Sequence, residues 1–226
     1  MATQTETLVL SKKDYLFSIA SGILIGLLML PTLKAAKPSL YEQYSSFVLP
    51  FFIIGVPVGL YVAYIIGQKI RLIWQVGKFG VIGVLNTLVD IGSLALVTFL
   101  FRTYANIESK DVLLAVGAST ITFYSAYKAG TFVIANVNSY FWNKYWTFNQ
   151  NPDKKTQAQF FQFFAVSIIG FIINVLVATL IFKTLGTTSG LSLDQQGLLG
   201  AAAGSIVGLV WNFIGYKFIV FKEKTV

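Results

Sequence analysis

An acidic residue sits where an acid is costly. In the stretch KFGVIGVLNTLVD (78–90) and the apolar run that follows it to Phe101, Asp90 lies halfway along a segment long enough to cross a bilayer as a helix. An ionised carboxylate at mid-membrane costs roughly 2.5–3.5 kcal/mol on insertion scales, so it is expected to face protein or a wet cavity. There it can exchange a proton or accept hydroxyl donors from a ligand. Asn86 is one turn earlier, and Thr87 and Ser93 lie three residues to either side. These place a polar stripe on one face of the helix and leave Val81, Leu85, Leu88 and Leu96 on the other. Asn136, Ser139 and Asn143 share a face of a later helix at spacings of three, four and seven. Buried amides seek partners in any membrane bundle, so interhelical bonding explains these residues as well as ligand recognition does. Lys144 and Lys217 each end an apolar run beside aromatics. Either they snorkel to the headgroups or they offer a point charge to a lipid phosphate.

The composition sets the environment of these groups. With 226 residues, 55% hydrophobic, 12% charged and a mean hydropathy of +0.70, the chain is too apolar for a soluble domain and too long for a single anchor. It has no cysteine and no histidine, which excludes disulfides, thiol nucleophiles and imidazole ligands and leaves nine carboxylates for acid–base work. Neither metal nor cofactor is expected. The formal charge of +8 gathers at the ends of apolar runs, which points to lipid headgroups and away from nucleic acid. There is no Gly-x-x-x-x-Gly-Lys-[Ser/Thr] loop for a nucleotide and no Asp-x-Asp pair for a nucleotide-sugar and its metal, so the chain is expected not to be an enzyme.

The pattern predicts an all-α polytopic membrane bundle. Spans are expected at 15–33, 46–67, 78–101, 127–146, 160–183 and 195–218, the first retained and the second bent at Pro50 and Pro57. Residues 34–45 and 68–78 read as connections. Residues 102–126 read as a short surface or re-entrant helix, with the start of one long tilted helix as the alternative. Trp142, Tyr145, Trp146 and Phe148 read as an interfacial belt, and Gly200, Gly204 and Gly208 as a packing ridge.

The chain also repeats itself. Aligning Phe79 with Phe163 sets Asp90 over Asn174 and Asn86 over Gly170; aligning SYFWNKYWTF (139–148) with NFIGYKFIVF (212–221) sets Ser139 over Asn212 and Lys144 over Lys217. Two units of two helices, 75–148 and 159–222, thus run in the same direction, preceded by an N-terminal hairpin at 1–74. Phe79, Gly83, Asn86, Thr87 and Asp90, followed by Asn143, Lys144, Trp146, Thr147 and Phe148, form a pattern that resembles the GtrA-like family of small four-helix membrane proteins. The resemblance spans about 75–222, with the N-terminal hairpin and the long 102–126 connection as additions.

That resemblance implies movement of polyprenyl-phosphate-linked sugars across a membrane for polysaccharide or glycolipid synthesis. Asn86, Asp90, Asn136, Asn143, Asn174 and Asn212 would then line a polar path, and Lys144 and Lys217 would receive the lipid phosphate. A non-transporting anchor or regulator of a glycosyltransferase, docked through the basic stretches 68–78 and 149–159, is the alternative. A small proton-coupled exporter is a further one. Membrane lipids are partners on any reading; self-association, the sugar, the carrier and the energy source stay open. Of the 17 Lys and Arg, eleven fall on one side if the N-terminus is inside, and six on the other with Lys128 counted there. The excess marks a cell-membrane protein with both termini cytoplasmic. Single cysteines at Thr3 or Thr225 are therefore expected to resist an impermeant thiol reagent in intact cells, and labelling from outside would overturn this orientation.

Overall fold

The computed structural model describes residues 8–117, 119–150, 156–185, 190 and 193–222. Lys154, Lys155 and Lys224 of the charge count lie outside them. The chain divides into two compact units, Met1–Thr147 and Phe148–Val226.

Among its described residues, the first unit holds four α-helices. Helix α1 (Lys12–Ala36) begins on a capping box in which the Ser11 hydroxyl accepts from the Asp14 N–H and the Asp14 carboxylate accepts from the Ser11 N–H at 3.1 Å. Helix α2 (Pro38–Gly67) follows after Lys37 alone, with Pro38 in its first turn. The connection expected at 34–45 is thus helical: proline suits a first helical position and lets the second helix start at once. Helix α2 continues through Pro50 and Pro57. Helix α3 (Arg71–Ala105) starts seven residues before the expected span and ends at Asn106, whose φ of 54° is the left-handed conformation that asparagine tolerates.

The segment after α3 is neither a surface helix nor a re-entrant one. Val112–Val116 (β1) and Ser119–Thr122 (β2) form an antiparallel hairpin with Leu114 opposite Ile121 and Ala115 opposite Thr120. Gly117 at φ +60° supplies the turn, and the Val/Leu/Ile/Thr content favours strand over helix. Thr122 then accepts from the Ser125 N–H at 3.4 Å and caps α4 (Phe123–Trp142), which runs back along α3. Helix α4 ends in a wider, π-helical turn over Asn143–Thr147. Leu60, Trp74, Ile82 and Trp146 pack together at one level of this unit, and Ile25, Leu85 and Leu88 at another.

The second unit pairs α5 (Thr156–Leu185) with α6 (Leu193–Gly215), and α6 also ends in a π-helical turn, Tyr216–Val220. The two π turns fall on equivalent positions of the repeat. Tyr216 stacks on Phe163 with ring centroids 4.0 Å apart, and its hydroxyl lies 2.7 Å from the Ser167 hydroxyl.

Among the described residues, α1, α2, α3, Gln157–Leu185 and Leu199–Val220 are long and apolar enough to cross a membrane. Helix α4 falls outside that set because Lys128, Asn136 and Asn138 interrupt it. The exposed faces carry Phe47, Phe51 and Ile54 on α2 and Phe171, Leu176 and Leu180 on α5, an apolar surface that lipid covers. This is an all-α polytopic membrane protein.

The predicted glycine ridge is a packing ridge. A methyl group on Gly200 would lie 2.6 Å from the Ala178 carbonyl oxygen, one on Gly208 3.1 Å from that of Gly170, and one on Gly204 would run into that of Asn174. Nothing lies within 4 Å of the same position on Gly59 in α2. Gly204→Leu is expected to lower unfolding stability in detergent by about 1–3 kcal/mol through overpacking, with Gly59→Leu near neutral. Equal effects at the two sites would mean that α5 and α6 do not rely on this close approach.

Candidate functional site

The polar side chains of α3 and α4 meet along a seam. At its first level Lys78, only 6% exposed, donates from Nζ to the Trp146 carbonyl at 3.0 Å and lies 4.7 Å from the centre of the Trp74 ring. That carbonyl belongs to the last turn of a helix, where backbone oxygens lack intrahelical donors. Asp14 completes the level: its Oδ1 is 3.5 Å from Lys78 Nζ and accepts from Trp146 Nε1 at 3.1 Å. Trp146 is 1% exposed and Phe148 7%, so neither belongs to the expected interfacial belt. The first unit encloses Trp146, through contacts that a lone helix end does not have.

Further along, Asn138 Nδ2 donates to Asn86 Oδ1 in a long 3.5 Å bond, while Asn138 Oδ1 accepts from Trp142 Nε1 at 3.1 Å. At the third level Asp90 has two partners on α4. Lys128 Nζ donates to its Oδ2 and Thr131 Oγ1 to its Oδ1, the latter at 2.8 Å. From Lys78 to Asp90 the seam follows α3 for roughly 18 Å. The Asp90 side chain is 22% exposed and that of Lys128 43%, so the innermost charge of α3 is compensated and the pair still has an open side. Carboxylate, ammonium, hydroxyl and amides in one row can exchange hydrogen bonds with a polyhydroxylated ligand.

The expected residues divide between this seam and other places. Asn86 and Asp90 are in it. Asn136 and Asn143 are not: Asn136 is buried and donates to the Phe132 carbonyl at 2.8 Å, and Asn143 donates to the Ser139 carbonyl and hydroxyl at 2.9 and 3.2 Å. Asn138, two positions from Asn136 and on the opposite side of α4, takes the place by Asn86. Lys144 is fully enclosed, with Nζ 3.4 Å from the Tyr140 hydroxyl and close to the rings of Tyr140 and Tyr145, so it does not snorkel. In the second unit Asn174 donates to Ser205 at 3.4 Å, and Asn212 lies over Gly170 with its Oδ1 buried and unpaired. Lys217 is half-buried between Phe213 and Phe218.

Sequence reasoning missed Lys128, Thr131, Asn138 and Asp14. Lys128 is legible as the cation on the helix that follows Asp90, but the charge count places it with the outer-side residues instead. Thr131 and Asn138 are seven apart and repeat the helical period from Lys128.

The model of the GtrA/DPMS transmembrane domain matches residues 78–221. The chain belongs to the GtrA/DPMS transmembrane-domain family. No curated protein and no solved structure matches it. The GtrA/DPMS match opens at Lys78 and closes at Phe221, so it takes in the whole α3–α4 seam and both π turns and leaves Asp14 and helices α1 and α2 ahead of it.

Within the GtrA/DPMS domain, the Asp90–Lys128 pair is expected to show a favourable coupling of about 0.5–3 kcal/mol in a double-mutant cycle of Asp90→Asn and Lys128→Met. Reversible unfolding in detergent measures it. Additive single effects would mean that the pair contributes nothing to holding α3 against α4.

Proposed function

We propose that this GtrA/DPMS-domain protein moves polyprenyl-phosphate-linked sugars across the cell membrane for polysaccharide or glycolipid synthesis, with both termini cytoplasmic. The observation that carries the reading is the Asp90–Lys128–Thr131 constellation: charged and polar, at bilayer depth, partly open, and inside the matched domain. A charge retained in a membrane span at this cost suits a path for polar cargo. The prenyl tail stays in lipid while the sugar passes from hydroxyl to hydroxyl along Asp90, Thr131, Asn86 and Asn138.

In this proposal Asn136 and Asn143 serve that path once helices part, and Asn174 and Asn212 offer amides to the cargo in the second unit. Two of them hold a reserve for that cargo, because the Oδ1 atoms of Asn143 and Asn212 are buried with no donor among the described residues. Lys217 receives lipid phosphate at the end of the second unit. Lys144 does so only when its turn opens, since it is enclosed here. No step makes or breaks a covalent bond.

The second reading is a non-transporting anchor for a glycosyltransferase. It is favoured by the burial of Lys78 and Lys144, which gives these cations structural work. A proton-coupled exporter fits less well, because Asp90 already has an ammonium and a hydroxyl on its two oxygens. Asp90→Asn protein, purified and reconstituted, is expected to stay folded and inserted yet lose most translocation of a fluorescent prenyl-phosphate sugar. Transport at the wild-type rate would remove Asp90 from the path. A variant that moves no sugar and still recruits a glycosyltransferase would remove the anchoring account.

A further inference from the structure

Beside the first level of the seam, an open groove of about 240 Å³ runs between α1, α2 and the start of α3. Asp14 and Trp74 stand at it together with Ser18, Leu60, Val58 and Tyr61. Apart from Asp14 and the hydroxyls its lining is apolar. Its charged residue is the one that reaches Lys78 and Trp146.

The bonds of Asp14 are divided. Oδ2 serves the cap of α1, accepting from the Ser11 hydroxyl at 2.6 Å, while Oδ1 is shared between the Trp146 indole N–H and the Lys78 ammonium. The 3.5 Å separation from Lys78 is long for a charge-assisted hydrogen bond, which settles near 2.7–2.9 Å. Lys78, near the start of α3, and Trp146, just past the end of α4, thus present two converging donors at one end of the α3–α4 pair, and a single carboxylate oxygen serves both, the indole at an ordinary 3.1 Å and the ammonium only loosely. A phosphate has an oxygen for each. The donors belong to the matched domain, whereas the carboxylate comes from the helix ahead of it.

We infer that Lys78 and the Trp146 indole form a binding site for the phosphate of a prenyl lipid, that the adjoining groove takes the first part of its chain, and that Asp14 occupies this site when no lipid is bound. The inference rests on the reading of the cargo as a lipid phosphate. An anion that enters must displace Asp14, so the N-terminal hairpin sets the apparent affinity of the site: a protein that binds only from a minor conformation loses affinity by the fraction of molecules in it. The groove is open, with Val58 and Tyr61 at its rim exposed, which leaves room for a chain, and Asp14, once displaced, keeps its bond to Ser11.

Calorimetric titration of the full chain in detergent tests this, with farnesyl phosphate, farnesol and inorganic phosphate as probes. Asp14→Asn, whose carboxamide still accepts from Ser11, is expected to bind farnesyl phosphate about tenfold more tightly than the native chain, with farnesol unchanged. Adding Lys78→Gln to Asp14→Asn should erase the gain, and adding Lys78→Arg should keep it. Val58→Trp, which fills the groove, should weaken farnesyl phosphate and leave inorganic phosphate unaffected. If the Lys78→Gln protein does not fold by size exclusion and circular dichroism, the Arg and Trp variants decide.

An Asp14→Asn protein that binds farnesyl phosphate no better than the native chain, a gain that survives Lys78→Gln, or an equal gain for farnesol would overturn the inference. Inorganic phosphate bound as tightly as farnesyl phosphate would overturn the lipid assignment. A chain that shows the expected shifts and translocates nothing refutes the transport reading alone; a chain that translocates and shows no shift refutes this inference alone.

Discussion

The Asp90–Lys128 pair is the contact that sets α4 against α3 in the first unit. A lone carboxylate inside α3 would be too costly to keep in hydrocarbon, and pairing it fixes where α4 runs and how it is rotated. Thr131 then has to face α3, and Asn138 comes round to Asn86 two turns later. The same rotation turns Asn136 and Asn143 to their own backbone. Lys128 is the sixth residue of its helix, so the hairpin before it must deliver α4 beside the middle of α3, and the Thr122 cap starts the helix at the required place.

The second unit reaches a similar helix pairing by other means. Where the first has Asp90 the second has Asn174; where the first has Thr131 it has Gly204; and Ala201 stands in the place of Lys128. Helices α5 and α6 therefore approach backbone to backbone across the glycine ridge, and close packing does there what hydrogen bonds and an ion pair do in the first unit. One sequence pattern thus supports a helix pair built on a charge pair and one built on a glycine ridge.

Much of the bundle was legible because bilayer physics leaves few options. Apolar run length gave the helices, the interrupted run gave Asp90, and the glycine period gave the ridge. The hairpin at 112–122 was not legible: LLAV shows no alternation, so strand and buried helix read alike until Gly117 is known to adopt a positive φ. Lys144 departs from its snorkelling reading for another reason. Snorkelling assumes a helix end bordered by lipid, and Lys144 is enclosed against Tyr140 and Tyr145, which no local pattern announces. Periodicity placed Asn136 with Ser139 and Asn143 correctly on one face, but it does not say which face meets α3; that was decided by Lys128.

The two π turns bear on how much the halves share. A π turn is wider than the helix around it, and both occupy the same five positions of their repeats, Asn143–Thr147 and Tyr216–Val220. The wide turn therefore belongs to the plan common to both helix pairs, whereas the charge pair in one and the glycine ridge in the other are what set them apart: the ends of the pairs are alike and their middles are free to differ.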